Sequence, residues 1–216
     1  MSTPGSPASA RRGSVTTQPA TAASRRRVMD GAHSGWPYSK AVKRVLLDQA
    51  IHTDYGQLDL IWTEAGGFDG DFDRFFAGQV NGLVGAADPD GVYVNLARRS
   101  GGSSVRIVLL DEAPAEDDVS WEDVVEVSFL LPAGHTLGWI AWAGLSRGSL
   151  DGVPSGSFRL RVSARGRDEG SVGEDAEDLV DFYLLELWLA PPQPDAVLRT
   201  GSWDSRYWHS EWGQRR

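Results

Sequence analysis

Phe158-Arg159-Leu160-Arg161-Val162-Ser163-Ala164-Arg165 alternates apolar and polar residues without a break. A period of two places Phe158, Leu160, Val162 and Ala164 on one face of an extended strand, and the arginines on the other. A helix would scatter those apolar residues around its circumference. The stretch therefore reads as a strand with one face against a core. The same period recurs on the N-terminal side at Leu58, Leu60 and Trp62, and at Val92, Val94 and Leu96. It returns at Val105, Ile107 and Leu109, at Val125, Val127, Phe129 and Leu131 before Pro132, and at Leu137, Trp139 and Ala141. On the C-terminal side, Phe182 to Leu189 is apolar on both faces except for Glu186, and Pro191-Pro192 ends it. A strand of that kind belongs at the centre of a sheet.

Clusters of Gly, Pro, Asp and Ser separate these strands, and no long helical pattern lies between them. The expected fold is all-β, an antiparallel β-sandwich of about seven to eight short strands. Residues 1–35, with Pro4, Pro7 and Pro19 among Ser, Ala and Arg, read as a disordered basic arm. In Ser39 to Gln49, the apolar Ala41, Val42, Val45 and Leu46 fall at helical spacing opposite Lys40, Lys43 and Arg44. This predicts one short amphipathic helix capped by Ser39. Residues 36–216 then form a single domain that begins with this helix.

Two inserts interrupt the strands. Gly66 to Gly85 carries Phe68, Phe72, Phe75 and Phe76, and reads as a loop with a helical turn capping the core. Asp168 to Asp178 is acidic and contains Gly170 and Gly173, so it is expected to be mobile. After Pro194 comes a Trp-rich extension with Trp203, Tyr207, Trp208, His209 and Trp212. Indoles are costly to leave in water, so packing on the domain is favoured over packing on a partner.

The chain of 216 residues is 41% hydrophobic, enough for a core. It has no cysteine, which excludes disulfides and thiolate zinc sites and fits a reducing cytoplasm, the expected location. No apolar run reaches the roughly eighteen residues of a membrane span. The net charge of −9 is unevenly spread. Residues 1–50 carry eight Lys or Arg and two Asp, a balance of +6, so the remainder carries −15. An acidic body repels phosphates, so no nucleic acid is expected on it, and it suits a basic protein partner. The densest acid is a ridge of Asp111, Glu112, Glu116, Asp117 and Asp118, the candidate partner-binding surface. Charge that merely keeps a sheet edge soluble is the alternative.

Patterns that would carry catalysis or a metal are incomplete. Gly144-Leu145-Ser146-Arg147-Gly148 matches G-x-S-x-G, but Gly152 and Pro154 follow where a nucleophile elbow needs a helix. Asp69, Asp71 and Asp73 alternate as in a calcium loop, yet Arg74 and Val80 stand where Gly and Glu are required. His33, His52, His135 and His209 show no zinc spacing. His52 and Asp54 form the one pair suited to acid–base work, and a histidine at a strand entry is the plainer reading. Arg159, Arg161 and Arg165 share a sheet face and suit an anion, with pairing to acids such as Glu126 as the stronger alternative. No cofactor motif appears, and no cofactor or metal is expected.

Several segments together resemble the competence protein J family, small bacterial proteins associated with inhibition of a DNA-entry nuclease. His52-Thr53-Asp54-Tyr55-Gly56-Gln57-Leu58 is similar to that family's first strand, where Tyr precedes Gln by two positions. Asn81 to Leu110 resembles its small-residue turn and following strand pair. Val125 to Phe129, Ser157 to Val162 and Tyr183 to Leu187 resemble its later strands in the same order, so the likeness spans most of residues 52–190. The basic arm, the acidic loop and the Trp-rich tail depart from the family pattern. The resemblance implies inhibition by binding, and it transfers no catalytic residues. The resulting expectation is a non-enzymatic protein-binding module of inhibitor or immunity type, acting on a basic partner such as a nuclease. Two other classes compete: a scaffold tethered through the basic arm, and a hydrolytic or small-ligand protein using His52, Asp54 or His209.

Overall fold

In a computed structural model of the protein, the residues described are 42–63, 69–115, 118–144, 146–174 and 176–213. All belong to the unit Pro37–Arg216. The predicted arm, and the start of the predicted helix at Ser39, lie outside the described residues.

The chain is mostly β, in two sheets. Its strands are β1 Val42–Asp54, β2 Gln57–Ile61, β3 Val84–Gly85, β4 Gly91–Asn95, β5 Ser100–Leu110 and β6 Asp123–Leu131. They continue as β7 Gly138–Ala141, β8 Arg147–Ser149, β9 Gly156–Arg165, β10 Phe182–Leu189 and β11 Ala196–Arg199. Three helices, α1 Phe72–Phe75, α2 Arg167–Val172 and α3 Trp203–Glu211, lie between and after them. The larger sheet has the order β1-β5-β10-β9-β6-β11, and the smaller β3-β4-β2-β7-β8. Each of the seven alternating stretches is a strand. Phe158, Leu160, Val162 and Ala164 of β9 join Leu58 and Leu60 of β2, Val92 and Val94 of β4, and their neighbours in one apolar core drawn from both sheets.

Three expectations are corrected. The first is the helix at Ser39–Gln49, which is strand from Val42 onward and pairs along its length with β5. Register shifts fall between Val42 and Arg44 and again between Val45 and Leu47. Two extra residues, Lys43 and Leu46, break the alternation and leave apolar side chains three and four apart. Bulges thus imitate a helical period. The second correction is orientation. β10 pairs antiparallel with β9 but parallel with β5, so the sheets are not wholly antiparallel. β10 is central as expected, with Tyr183, Leu185 and Leu187 in the core and Leu184, Glu186 and Trp188 buried on the opposite face. The third is the number of strands, eleven among the described residues where about seven to eight were expected. β3, β8 and β11, of two, three and four residues, are too short to show a period.

The chain crosses between the sheets from β1 to β2, from β4 to β5, from β6 to β7 and from β8 to β9, and the first two crossings share a corner. β1 passes to β2 through Tyr55-Gly56, both with positive φ, at 58° and 63°, the backbone of a two-residue primed turn. A Cβ on Gly56 would stand 2.3 Å from the Leu96 carbonyl oxygen, so only glycine fits. β4 passes to β5 alongside, and Gly56 binds it on both sides, donating to Arg99 O at 3.0 Å and accepting from Leu96 N at 2.7 Å.

Arg98 lies at this corner and is 1% exposed. Its guanidinium donates to Gly173 O at 2.9 and 2.8 Å, Gly102 O at 2.6 Å, Ala176 O at 2.7 Å and Asp178 O at 3.3 Å. Three of those carbonyls belong to the acidic segment 168–178. Its residues up to Val172 are in α2, and Gly173, Ala176 and Asp178 close on a buried cation, at odds with the mobility expected of the segment. Arg98→Met should leave four carbonyls without a donor and cost about 3–5 kcal/mol. Urea unfolding would show the loss, and limited proteolysis should then cut between residues 173 and 178.

Candidate functional site

The acidic ridge lies on the connection between β5 and β6. Asp111 and Glu112 are exposed, Asp118 is half-buried, and Glu116 and Asp117 lie outside the described residues. Two arginines hold the connection from behind. Arg161 donates to Ala115 O at 3.2 Å, and Arg199 donates to Asp118 O at 2.9 Å and Trp121 O at 2.8 Å. Asp118 turns one carboxylate oxygen back to Ser120 N at 2.9 Å, so it serves the turn as well as the surface. Trp121 is buried beneath, with the Arg165 guanidinium 5.5 Å from its ring and 4.8 Å from that of Phe182.

The arginines of β9 are therefore not an anion site. Glu126 accepts from Arg159 Nε at 3.0 Å and from Arg161 Nε at 2.8 Å, the cross-strand pairing anticipated from the alternation. Glu186 faces Arg161 from the other side, in register across β10 and β9. Burial pushes the Glu186 carboxyl up to about 7, against the pull of Arg161 and with a further push from Glu126.

Arg167, at the start of α2, is buried and reaches in the opposite direction. Its Nε and Nη2 donate to Asp204 Oδ2 at 2.9 and 2.6 Å, and its Nη1 to Asn95 O at 2.8 Å. It thereby joins α2, α3 and the smaller sheet. A second anchor of α3 is Asp123, fully buried at the start of β6. Its carboxylate accepts from Gly201 N, Ser202 N, Ser202 Oγ and Ser205 Oγ. Ser202 also caps the helix by accepting from Ser205 N. The Trp-rich extension is this helix. Ser202 ahead of an acidic first turn was the available signal for it. Trp212 packs with Phe72, Phe76, Tyr93 and Trp208, while Trp203 and Tyr207 remain half exposed.

The remaining candidates resolve into structural roles. Asp69 and Asp71 accept from the backbone of Asp71 and Arg74, and Asp69 pairs with the Arg74 guanidinium at 3.0 Å. Phe75 and Phe76 are buried at α1, the capping turn foreseen for this insert. Ser146 sits between a 3₁₀ turn, Trp142–Gly144, and β8, where no helix follows. Its buried Oγ has no hydrogen-bond partner among the described residues. His52 is exposed, and Asp54 accepts instead from Ser100 Oγ at 2.5 Å. His209 Nδ1 accepts from Gly82 N at 2.9 Å, and burial lowers its basicity. A groove of about 880 Å³ beside β8 includes Trp62, His135, Trp139 and Arg147 in its lining, with no carboxylate among the described residues there to pair with the imidazole. No group of three metal-ligating side chains occurs among the described residues, and no helix there is long and apolar enough to cross a membrane.

No family model and no curated protein matches the chain. Two solved structures are similar to it. One is ComJ from Bacillus subtilis, described as the inhibitor of the DNA degrading activity of NucA. It has 17% identity and a TM-score of 0.47, over 68% of this chain and 98% of that one. The similarity to ComJ is a distant one. The other is described as crocagin biosynthetic gene J, with 18% identity, a TM-score of 0.47 and the same two coverages. ComJ belongs to the family that the sequence segments resemble.

The buried Glu186 gives the site a pH signature. Its carboxyl ordinarily titrates near 4.5, and here near 7. The stability it contributes is full below pH 4.5 and is lost as pH rises through about 7. Relative to Glu186→Gln, the native chain should lose about 2–3 kcal/mol between pH 4.5 and 8. Urea unfolding of both proteins across that range checks it, and parallel curves would refute it.

Proposed function

We propose that this domain is a non-enzymatic binding module of inhibitor type, and that its partner is a basic protein such as a nuclease. The observation that carries the reading is how the charges are sorted. After Arg44 the chain has thirteen basic residues, all arginine, against twenty-eight acids after residue 50. Many of the arginines are spent inside. Arg98 and Arg167 are buried, Arg159 and Arg161 are committed to Glu126, and Arg199 holds main-chain carbonyls. Asp111, Glu112, Glu122, Glu169, Glu174, Glu177 and Asp178 meanwhile face solvent. Asp59, Asp88, Asp123, Asp181, Glu186 and Asp204 are buried as well, and the surface keeps the acidic balance of the whole.

Such a surface steers a cationic protein towards it and repels a phosphate backbone. The arginine-anchored ridge supplies the contact. Inhibition by binding is what the resemblance to the competence protein J family implies.

The test uses purified protein and a purified basic nuclease retained from a native lysate. Asp111→Lys with Glu112→Lys should weaken binding about tenfold and flatten its dependence on salt, because exposed charges act through a screened field. A version lacking residues 1–35 should bind like the full chain. Equal affinity and an equal salt slope for the charge-reversed protein would remove the ridge from the interface.

A further inference from the structure

We propose that Trp203 and Tyr207 on α3 are the anchor of the partner-binding surface, and that they receive an arginine or lysine side chain of the basic partner. This inference rests on the acidic-surface reading above and gives that surface its centre. α3 sorts its aromatic residues by face. Trp208 and Trp212 turn inward against Phe72, Phe76 and Tyr93, while Trp203 and Tyr207, four residues apart, are 50% and 51% exposed. A tail needed only to seal the core would not place its other two large rings, one turn apart, in water.

The rings stand on a fixed platform. Trp203 N and Asp204 N donate to Asp168 at 3.2 and 3.0 Å, and Asp123 binds the residues just before the helix. Tyr207 packs edge-on against Trp208 at 4.8 Å. The backbone beneath both rings is thus held before binding, which favours such aromatics as contact centres.

Their surroundings select a cation. Glu122 is exposed and its backbone lies against Gly201, two residues before Trp203. Glu169 is exposed and follows the Asp168 that holds Trp203 N. Through Arg199, which binds Asp118 O and Trp121 O, the ridge runs onto the start of α3. Arg206, on the same helix, is turned back onto Gly201 O at 2.9 Å. A cation set over a ring and flanked by carboxylates is held from both sides. The molecule stacks its own arginines in this way, Arg165 on Trp121 and Phe182, and Arg99 on Tyr55 at 5.1 Å.

The experiment follows the indole N–H signals of the nine tryptophans in the full chain, with Trp203→Phe assigning one of them. An oligo-arginine peptide is titrated in at low salt. The Trp203 signal should move with the earliest additions, and Trp203→Ala with Tyr207→Ala should weaken binding about tenfold with the thermal midpoint unchanged. If the peptide binds, Asp111→Lys with Glu112→Lys weakens it, and the aromatic variant binds normally, the anchor is wrong and the acidic-surface reading stands. If the peptide does not bind at all, that reading falls and takes the anchor with it. If the Trp203 signal moves with protein concentration alone, the rings meet a second copy of the chain, and the proposal is overturned.

Discussion

The guanidinium of Arg98 collects oxygens from Gly102, Gly173, Ala176 and Asp178, and the surrounding chain takes its conformation from that demand. A buried cation keeps its charge only if its donors are met, since its desolvation is otherwise too costly. Here main-chain carbonyls meet them in place of a carboxylate. Turning those carbonyls inward faces the backbone of Gly173, Ala176 and Asp178 toward the corner where β1 passes to β2 and β4 to β5. The side chains of Glu174, Glu177 and Asp178 are left outside. An acidic loop that would repel itself in isolation is thereby closed around a positive centre.

The same economy runs through the domain. Arg167 binds α2 to α3, Arg161 and Arg199 hold the ridge, and Arg159 joins Glu126 to the carbonyls of Gln193 and Pro194. Arginine suits this use because its planar fork serves several oxygens at once and stays charged when buried, where a lysine would tend to lose its proton. The chain has no lysine after Lys43. Arginines build much of the interior together with buried acids such as Asp123 and Asp204, and the remaining excess of acid lies on the surface.

Much of this was legible in the sequence, for reasons that vary by element. Seven strands were readable because each has one face in a shared core, and the central place of β10 because both of its faces are apolar. The pairing of Arg159 and Arg161 with Glu126 followed from the alternation of β9. β1 misled because two bulges shift its parity, which a fixed period cannot represent. The parallel pairing of β10 with β5 has no local signature, since an interior strand looks the same from either neighbour. The candidate surface was only partly legible. Asp111 and Glu112 stand exposed as expected, whereas Asp118 also caps a turn. The role of α3 was hidden because Asp123, which anchors it, lies some eighty residues upstream.

The position of β10 also bears on how the chain reaches its fold. Its neighbours in the larger sheet, β5 and β9, are made first, yet they do not touch each other, because β10 lies between them. Until about residue 190 has left the ribosome, that sheet exists as two halves with open interior edges. Contacts so distant in sequence are slow to form, and incomplete sheets of this kind are prone to wrong pairing. Synthesis of this domain therefore leaves the apolar edges of β5 and β9 open until β10 emerges.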